Sequence, residues 1–544
     1  MSKEILLGDE ALARAAVDAG ISGAYSYPGT PATEIFESVE SQVHREHLNI
    51  HVRWSSNEKV AYEEALGMSY AGKRALISFK HVGLNVAADP FINSAVSGVH
   101  GGLVVAVADD PSMHSSQNEQ DSRHYADFAR IVCMEPGDQQ QAYDMTREAF
   151  DISELHQTPV MVRLVTRLSH SRATVVTGDR RDQNPAAYSP EVFRWTLLPT
   201  NARRAYEQLL DKQPALQNYA EQHAENQLIL RGQGLPGILV SGIAWGYLAE
   251  ALGEDLDAFN ILRLGIYPLP VGKIRRLAES CEGRLWVIEE GYPFIERYIS
   301  ALGLNHAFVL RGRVSGDLPR SGELNPDLIR KAFGKPVARG LELAEAREVL
   351  RARPPLLCDG CPHTDAYLAI KEALQDHPQA RVMGDIGCYT LGFYEPHHAI
   401  HSCICMGSSI SMASGISHAG VRPSVCVIGD STFTHSGLTP LLDAARENTD
   451  MTVIVLDNSI VGMTGGQEPM VFEDQLSEMI AGLGVPREHI RVLAPMAKEH
   501  DANVAVLRGE IAHAGLSVII FDRECVTYFK KIKALQGARG GDTT

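Results

Sequence analysis

Short apolar runs rich in valine and isoleucine recur along the chain, and segments with helical periodicity separate them. Runs of this kind are typical of parallel strands that helices cover on both faces of a sheet. We therefore predict an α/β fold built from doubly wound parallel sheets, with helices at 10–19, 58–71 and 245–252. The predicted strands are residues 51–55, 75–79, 103–108, 160–165, 237–241, 260–264, 285–289, 381–384, 424–429, 451–457 and 517–522.

Two polar passages divide these strands into three groups. Residues 181–235 are polar and include a stretch rich in Gln and Asn, and a basic, proline-containing passage begins at residue 311. A chain of 544 residues is long enough for about three or four domains. We predict three successive α/β domains, residues 1–180, 236–345 and 346–544, with 181–235 as a linker or helical segment.

The charge and the lack of long apolar stretches limit the classes of partner. The chain has 67 acidic and 50 basic side chains, a net charge of −17, which argues against nucleic acid or an anionic membrane as partner. No apolar stretch approaches the roughly 20 residues that span a bilayer, and no signal-peptide pattern opens the chain. We expect a cytoplasmic protein, whose nine cysteines suit metal or redox chemistry better than a disulfide scaffold.

The third predicted domain carries an aspartate and an asparagine at the ends of two strands. One strand ends in Gly429-Asp430-Ser431, and the strand after the next helix ends in Asp457-Asn458. Ligands of open α/β sheets bind at the carboxyl ends of the strands. Oxygen ligands placed there suit Mg²⁺ that is shared with phosphate groups, although a Gly-Asp turn alone is common.

The run from Leu456 to Thr464, following Gly-Asp-Ser, resembles the thiamine-diphosphate motif, in which Gly-Asp-Gly is followed after a helix by Asn. Ser431 stands where the motif has its second glycine. The resemblance implies that Asp430, the Asn458 side chain and the Ile460 carbonyl hold Mg²⁺ on the diphosphate of thiamine diphosphate. The other cofactor-binding candidates are Gly429, Ser431, Thr464 and Gly407, the last at a predicted helix start.

Thiamine chemistry also needs a carboxyl group that hydrogen-bonds the aminopyrimidine ring, and a buried carboxyl with a raised pKa suits this role. Glu58 opens the predicted helix 58–71. The pattern alone fits equally well a glutamate that the helix macrodipole favours. However, Glu58 lies nine residues before Gly67-Met-Ser-Tyr-Ala-Gly. This spacing resembles that of the cofactor-activating Glu in 2-oxoacid:ferredoxin oxidoreductases and implies a catalytic role for Glu58.

Further segments carry the same resemblance. Tyr27-Pro-Gly-Thr30-Pro resembles the family's Tyr-Pro-x-Thr-Pro loop, whose Thr lies near the substrate carboxylate. Residues 80–85 and 108–119 resemble the alpha subunits of indolepyruvate ferredoxin oxidoreductases. His81 is a candidate general acid/base or partner of the substrate carboxylate, although a lone histidine is more often structural. The resemblance covers essentially the whole chain and implies a pyrimidine-binding domain at 1–180, a transketolase-C-terminal-like domain at 236–345 and a diphosphate-binding domain at 346–544.

Four cysteines lie in segments of the third domain that are expected to converge at strand ends: Cys358, Cys361, Cys388 and Cys525. Spacing alone leaves Zn²⁺ and an iron–sulfur cluster both open, and buried inert thiols remain an alternative. The family has CxGC, GxGC and Cys-Val-Thr-Tyr segments in the same order, which implies that these four hold one [4Fe–4S] cluster. We assign a structural role to Cys133, Cys281 and Cys426. Cys403 and Cys405 are assigned a structural role by default, but their role stays open.

The resemblance implies oxidative decarboxylation of a 2-oxoacid, of the arylpyruvate class such as indolepyruvate or phenylpyruvate, to acyl-CoA and CO₂. Coenzyme A would be the co-substrate, and electrons would leave through the cluster to ferredoxin or a partner subunit. The two-cluster tail usual in the family does not follow Cys525, and a beta-type subunit is expected in a dimer of heterodimers. The alternatives are a non-oxidative thiamine decarboxylase or carboligase and a zinc-stapled subunit without turnover.

Overall fold

The computed structural model describes residues 2–189, 191, 193–304, 308–337, 355–471 and 474–540. Within it the chain forms two compact units, Met1–Glu342 and Leu343–Thr544, called here the N-terminal and C-terminal units. Each is described by itself. Among the described residues, no helix combines the length and the apolar character that crossing a membrane requires.

The strands of the N-terminal unit are β1 (Ser2–Leu7), β2 (Gly23–Ser26), β3 (His51–Trp54), β4 (Ala75–Lys80), β5 (Leu103–Asp109), β6 (Val132–Met134), β7 (Val160–Val165), β8 (Arg172–Thr177), β9 (Leu228–Ile229), β10 (Leu235–Ser241), β11 (Asn260–Leu264), β12 (Ile266–Tyr267), β13 (Cys281–Ile288) and β14 (Phe308–Arg311). Its helices are α1 (Gly8–Asp18), α2 (Thr33–Glu46), α3 (Glu58–Tyr70), α4 (His81–Val86), α5 (Ala88–Ser97), α6 (Arg123–Ala129), α7 (Gln139–His156), α8 (Thr166–His170), α9 (Pro199–Gln222), α10 (Ala244–Leu252), α11 (Val271–Ser280), α12 (Phe294–Ala301) and α13 (Pro326–Ala332). A 3₁₀ helix covers Gly253–Ala258.

Two parallel sheets organise the N-terminal unit. The larger has the order β12-β6-β7-β5-β4-β2-β3, in which only β12 runs antiparallel to its neighbour. The smaller has the order β14-β13-β10-β11-β9, with β9 antiparallel. One apolar core contains side chains from β4 and β5 together with side chains from β10, β11 and β13. The two sheets are therefore packed into one unit, and β1 pairs with β8 in a separate antiparallel ribbon.

Buried charged side chains also connect the two sheets. We call them the arginine–carboxylate network: Asp109, Asp121, Arg123, Glu135, Arg163, Glu289, Glu290 and Arg313. Arg163 in β7 contacts Asp109 at 2.7 Å and Glu135 at 2.6 Å. Arg123 contacts Asp121 at 2.5 Å and Glu289, which follows β13, at 3.0 Å. Burial removes water from these charges, which costs free energy. Pairing between the acids and the arginines offsets that cost.

The C-terminal unit contains one wholly parallel sheet in the order β15-β16-β17-β19-β18. Its strands are β15 (Val382–Met383), β16 (Val425–Gly429), β17 (Met451–Asp457), β18 (Ile490–Leu493) and β19 (Leu516–Asp522). Its helices are α14 (Pro362–Ala373), α15 (Ser408–His418), α16 (Asp430–Thr432), α17 (Leu438–Glu447), α18 (Asp474–Gly482), α19 (His500–Ile511) and α20 (Phe529–Gly540). Short helical turns cover Cys388–Phe393, Phe433–Gly437, Arg487–His489 and Ala497–Glu499. A separate apolar cluster covers each face of the sheet.

The predicted α/β fold with parallel sheets is confirmed. The strands at 160–165, 260–264 and 451–457 have the predicted bounds, and the other predicted strands differ by one to four residues at an end. The segment 181–235, predicted as a linker or helical, contains the 24-residue helix α9, which buries Leu209 and Leu216. The boundary proposed at 345/346 lies outside the described residues, and the predicted domain limits stay predictions.

Candidate functional site

Segments that carry the sequence-predicted residues of the N-terminal unit follow neighbouring strands of the larger sheet. Thr30 follows β2, Glu58 follows β3 and His81 follows β4, and these three strands are adjacent. Strands β4 and β5 pair in register, so that Lys80 lies opposite Ala108. The structure thus places Thr30, Glu58 and His81 at the carboxyl edge of one parallel sheet, where the ligands of such sheets bind.

Glu58 is the first residue of α3 and is 7% exposed. The side chain of Asn57, the N-cap residue, accepts a hydrogen bond from the Val60 N–H at 2.9 Å, which fixes where the helix begins. The Glu58 carboxyl lies against α4: a Cβ built on Gly83 would come within 2.6 Å of Glu58 Oε1. The Glu58 carboxyl can therefore occupy its observed position only because residue 83 has no side chain.

The loop that carries Thr30 is held by two neighbouring segments. Within the loop, the Gly29 N–H donates to Thr33 Oγ1 at 3.0 Å, and the Thr30–Pro31 peptide bond is cis. The Thr30 carbonyl accepts a hydrogen bond from Ser115 Oγ at 3.1 Å. Lys80 Nζ in turn donates to the Ser115 carbonyl. The loop after β2, the end of β4 and the loop after β5 are therefore joined.

His81 is buried, and neither ring nitrogen has a hydrogen-bond partner among the described residues. Burial lowers the pKa of His81, and Asp109 opposes this effect. Burial likewise lowers the pKa of Lys80, to about 8, with Asp110 opposing. Lys80 belongs to the segment 80–85, whose sequence indicates no role for it. A neutral imidazole and an ammonium group with a lowered pKa, both at this edge of the sheet, are suited to contact a polar substrate.

In the C-terminal unit, Asp430 and Asn458 lie at the ends of the paired strands β16 and β17. Asp430 is buried, and its Oδ2 has no hydrogen-bond partner among the described residues. Burial raises the pKa of Asp430, and the neighbouring Asp457 raises it further. Burial also raises the pKa of Asp457, to about 6, and Asp522 adds to this. Two buried acids side by side with an unsatisfied oxygen fit a bound cation such as Mg²⁺.

The remaining cofactor-binding candidates lie in the segments that follow β16 and β17. The Ile460 N–H donates to Asn458 Oδ1 at 3.3 Å, and Thr464 Oγ1 donates to Gln467 Oε1 at 2.6 Å. The Ser431 hydroxyl is buried without a hydrogen-bond partner among the described residues. The Ser431 hydroxyl therefore lacks a hydrogen-bond partner among the described residues, whereas the Thr464 hydroxyl has one.

Two glycines predicted to bind the cofactor are explained by packing. A Cβ on Gly429 would lie 2.7 Å from the ring of Tyr389, so this glycine makes room for a buried aromatic side chain. Gly407 has φ +82°, and a Cβ there would lie 2.6 Å from the Ser436 carbonyl oxygen. It precedes α15, whose start was predicted from the sequence.

The four cysteines predicted as cluster ligands form one group. Cys358 and Cys361 precede α14, and the Cys361 N–H donates to the Cys358 carbonyl at 3.0 Å. The Cys525 N–H donates to the Asn458 carbonyl at 3.0 Å. Burial raises the pKa of Cys388, and Cys361, Asp430, Cys525 and Cys358 raise it further. The thiols are therefore close enough to affect one another's charge.

The spacing of these sulfur atoms bears on which metal they could hold. Tetrahedral Zn²⁺ with Zn–S bonds near 2.3 Å needs sulfur atoms about 3.8 Å apart. Within the part of the chain that the structure describes, no three thiol sulfurs lie within 4.8 Å of one another. The sulfur atoms of the structure are therefore not arranged as a closed zinc site.

Two side chains that sequence reasoning did not connect with the thiols contact Cys388. Asn458 Nδ2 lies 3.4 Å from Cys388 Sγ, and His363 Nε2 lies 3.3 Å from it. Burial lowers the pKa of His363 to about 4, so the ring is neutral at neutral pH and can donate from Nε2. His363 belongs to the Cys-Pro-His sequence at 361–363, which was the available signal for its role.

The other cysteines divide by burial. Cys133, Cys281 and Cys426 are buried within strands, and burial raises the pKa of each thiol. Cys403 is partly buried, and Cys405 is exposed. Burial raises the pKa of Cys403 as well. The first three are placed as structural cysteines should be.

Two family models match the chain. Residues 14–206 match the thiamine-diphosphate-binding domain of pyruvate flavodoxin/ferredoxin oxidoreductases, and residues 385–510 match the C-terminal thiamine-pyrophosphate-binding domain of thiamine-pyrophosphate enzymes. The first range includes Thr30, Glu58 and His81, and the second includes Cys388, Asp430 and Asn458.

Relatives match over nearly the full chain. The indolepyruvate oxidoreductase subunit IorA of Archaeoglobus fulgidus is 36% identical over 98% of this chain and 88% of its own length. The IorA subunit of Methanothermobacter thermautotrophicus is 36% identical over 96% of this chain and 87% of its own. A solved 2-oxoglutarate:ferredoxin oxidoreductase from Magnetococcus marinus has a TM-score of 0.49 at 17% identity, covering 61% of this chain and 65% of that one.

The identity and coverage of these relatives, with a thiamine-diphosphate-binding family model in each unit, settle the family. The chain belongs to the IorA subunits of indolepyruvate oxidoreductases, a family of thiamine-diphosphate-dependent oxidoreductases.

Proposed function

We propose that this chain binds thiamine diphosphate, Mg²⁺ and one [4Fe–4S] cluster, and oxidatively decarboxylates a 2-oxoacid of the arylpyruvate class to the acyl-CoA and CO₂. The names of the relatives support the substrate class and indicate a second, beta-type subunit. Ferredoxin or that subunit would accept the electrons. The assembly proposed is a dimer of heterodimers.

One observation carries the redox part of the proposal: the contact of 3.4 Å between Asn458 Nδ2 and Cys388 Sγ. Asn458 is the proposed Mg²⁺ ligand on the diphosphate, and Cys388 is a proposed cluster ligand. A cofactor site that adjoins four thiols is suited to pass electrons to a metal centre. A non-oxidative decarboxylase needs no such thiols, and the sulfur spacing disfavours a zinc staple.

The residues divide into three roles. Asp430, Asn458 and the Ile460 carbonyl would hold Mg²⁺, which would satisfy the unpaired Asp430 Oδ2. The Glu58 carboxyl would hydrogen-bond the aminopyrimidine ring and exchange a proton with it. When bound, thiamine diphosphate supplies an electron sink for the loss of CO₂.

The substrate would lie at the carboxyl edge of the larger sheet of the N-terminal unit. Thr30 and Lys80 offer a hydroxyl and a cation for the carboxylate of the 2-oxoacid. His81 would be the general acid/base there, because burial keeps its ring neutral and its nitrogens have no partner among the described residues.

The test is 2-oxoacid- and coenzyme A-dependent reduction of viologen by the anaerobically purified chain, with and without candidate partner subunits. Indolepyruvate, phenylpyruvate, pyruvate and 2-oxoglutarate are compared at equal concentration. We expect turnover to be fastest with the arylpyruvates and to depend on coenzyme A. Release of the aldehyde without a need for coenzyme A, or a protein that contains zinc and no iron, would refute the proposal.

A pair of glycine variants separates the role of Glu58 from the stability of its helix. Gly83→Ala places a methyl group 2.6 Å from Glu58 Oε1, whereas a Cβ on Gly67, within α3, meets no atom within 4 Å. We expect Gly83→Ala and Glu58→Gln to lose most of the turnover while keeping the visible absorption of the cluster. Gly67→Ala should keep its turnover. Equal turnover in Gly83→Ala and the wild type would remove Glu58 from the mechanism.

A further inference from the structure

Three residues that have no part in the proposed function meet where three elements of the N-terminal unit begin or end. Asp9 is in the first turn of α1, Glu34 is in the first turn of α2 and His170 is the last residue of α8. One oxygen of each carboxylate and one ring nitrogen of His170 all lie within 4.8 Å of one another. We call this group the Asp9–Glu34–His170 site.

Asp9 is fully buried, and neither of its carboxylate oxygens has a hydrogen-bond partner among the described residues. Burial raises the pKa of Asp9, and Glu34 and Glu10 raise it further; the neighbouring Ser169 hydroxyl and His170 oppose the rise, and no lysine or arginine is among these groups. An unpaired buried carboxylate costs free energy, and it needs either a proton or a cation.

The surroundings favour a cation over a proton. Both acids lie at helix N-termini, where the macrodipole stabilises the ionised form. His170 Nε2 lies 3.5 Å from Glu34 Oε2, close to the separation of about 3.3 Å between ligands of one tetrahedral ion with bonds near 2.0–2.1 Å.

Two of the three side chains are partly exposed to solvent, so that an ion can reach the site. Asp9 forms the buried end, whereas the side chains of Glu34 and His170 are 37% and 35% exposed. Glu34 Oε2 is itself buried, whereas the rest of the Glu34 side chain and His170 reach the surface. An imidazole with two carboxylates suits a first-row transition metal better than Mg²⁺ or Ca²⁺, which take oxygen ligands alone.

We propose that Asp9, Glu34 and His170 bind a divalent transition-metal ion of the Zn²⁺ type, with water completing the coordination. The ion would tie the beginnings of α1 and α2 to the end of α8. Because the loop with Thr30 leads directly into α2, the ion would also fix the loop's C-terminal end. The proposal does not depend on the proposed function, since neither thiamine diphosphate nor the cysteines take part.

The test measures zinc bound by the full-length chain, kept anaerobic, stripped of loosely held metal and dialysed against Zn²⁺. The wild type is compared with Asp9→Asn and His170→Gln, and with the control His44→Gln, an exposed histidine in α2 outside the site. Zinc that binds elsewhere, for example at cysteines, is common to all four and cancels in the difference. We expect the wild type and the control to hold one zinc per chain more than the two site variants.

Thermal unfolding supplies an independent readout. Zn²⁺ should raise the Tm of the wild type and of His44→Gln, because an ion that binds only the folded state stabilises it. It should leave Asp9→Asn unchanged, and the metal-free Asp9→Asn should unfold no lower than the wild type. Should Asp9→Asn fail to fold, Glu34→Gln at the exposed end of the site replaces it. Equal zinc content in wild type and variants, or the same Tm difference produced by Mg²⁺, overturns the proposal.

Discussion

In the arginine–carboxylate network of the N-terminal unit, each buried acid lies beside an arginine, whereas Asp430 and Asp457 in the C-terminal unit are buried beside each other. Arg163, for example, reaches Asp109 and Glu135 with two different nitrogens. Around Asp430 and Asp457, no lysine or arginine is among the groups that most affect their pKa values. The difference separates acids that arginines of the fold pair from acids that we propose to bind a cation.

Paired and unpaired buried acids should contribute differently to the stability of the folded chain. A paired buried ion stabilises the folded chain only while its partner is present, and removing one partner exposes the full cost of the other. An unpaired buried acid destabilises the folded chain until a cation binds. The network should therefore govern stability, and the Asp430–Asp457 pair should govern ligand affinity.

The largest expected effect follows from removing one arginine of the network. Arg163→Leu leaves Asp109 and Glu135 buried without their closest positive charge, and we expect the N-terminal unit to lose about 3–5 kcal/mol of unfolding free energy. Denaturant unfolding followed by circular dichroism measures this loss. A midpoint equal to that of the wild type would mean that the ion pairs of Arg163 do not contribute to the stability of the unit.

The next effect is a pH dependence that arises from two glutamates of the network. Burial raises the pKa of Glu289 from 4.5 to about 7, although Arg123 lowers it. A raised pKa means that Glu289 contributes stability below pH 4.5 and that this contribution is lost as the pH rises through 7. A shift of this size corresponds to at most about 3 kcal/mol.

Glu289→Gln does not titrate at this position, so its stability relative to the wild type should improve between pH 5 and pH 8. Glu290→Gln should behave in the same way, because burial raises the pKa of Glu290 to about 7 as well. The measurement is the unfolding midpoint of each protein across that range. Parallel curves for the wild type and both variants would contradict the assigned pKa shifts.

A smaller effect of opposite sign is expected in the C-terminal unit. Asp430→Asn removes a buried carboxylate that has an unpaired oxygen, so the protein free of Mg²⁺ and thiamine diphosphate should gain about 1–3 kcal/mol in unfolding free energy. The same variant should lose the stabilisation that Mg²⁺ with thiamine diphosphate gives the wild type. Unfolding with and without the ligands measures both. A variant that is destabilised without ligands would place Asp430 with the paired acids.

Sequence reasoning reached these two regions to different degrees. Asp430 and Asn458 were predictable because each directly follows a strand, and parallel strands bring their carboxyl ends to one edge. The structure places them as expected, at the ends of the paired strands β16 and β17. The site roles themselves stay predictions.

The network was not predictable, because its members come together only through tertiary packing. Arg163 and Glu290 are 127 residues apart, and Arg163 Nη2 reaches the Glu290 carbonyl at 3.2 Å. Nor does a local pattern indicate that β12 pairs with β6 at the edge of the larger sheet. His363 is an intermediate case. The sequence shows that it follows Cys361 by two residues, but it does not show the contact of His363 with Cys388.

The smallest effect is expected from an ion pair whose distances resemble those of Arg163 in the network but which lies at the surface. Arg487 donates two hydrogen bonds to Glu478, at 2.8 and 2.7 Å, and both side chains are more than 60% exposed. Water solvates both charges after the pair is broken, so Arg487→Leu should leave the unfolding midpoint nearly unchanged. Measured beside Arg163→Leu under the same conditions, it separates burial from pairing. If both substitutions cost the same, then the geometry of the pair, and not the loss of water, decides its contribution, and the contrast between the two regions would fail.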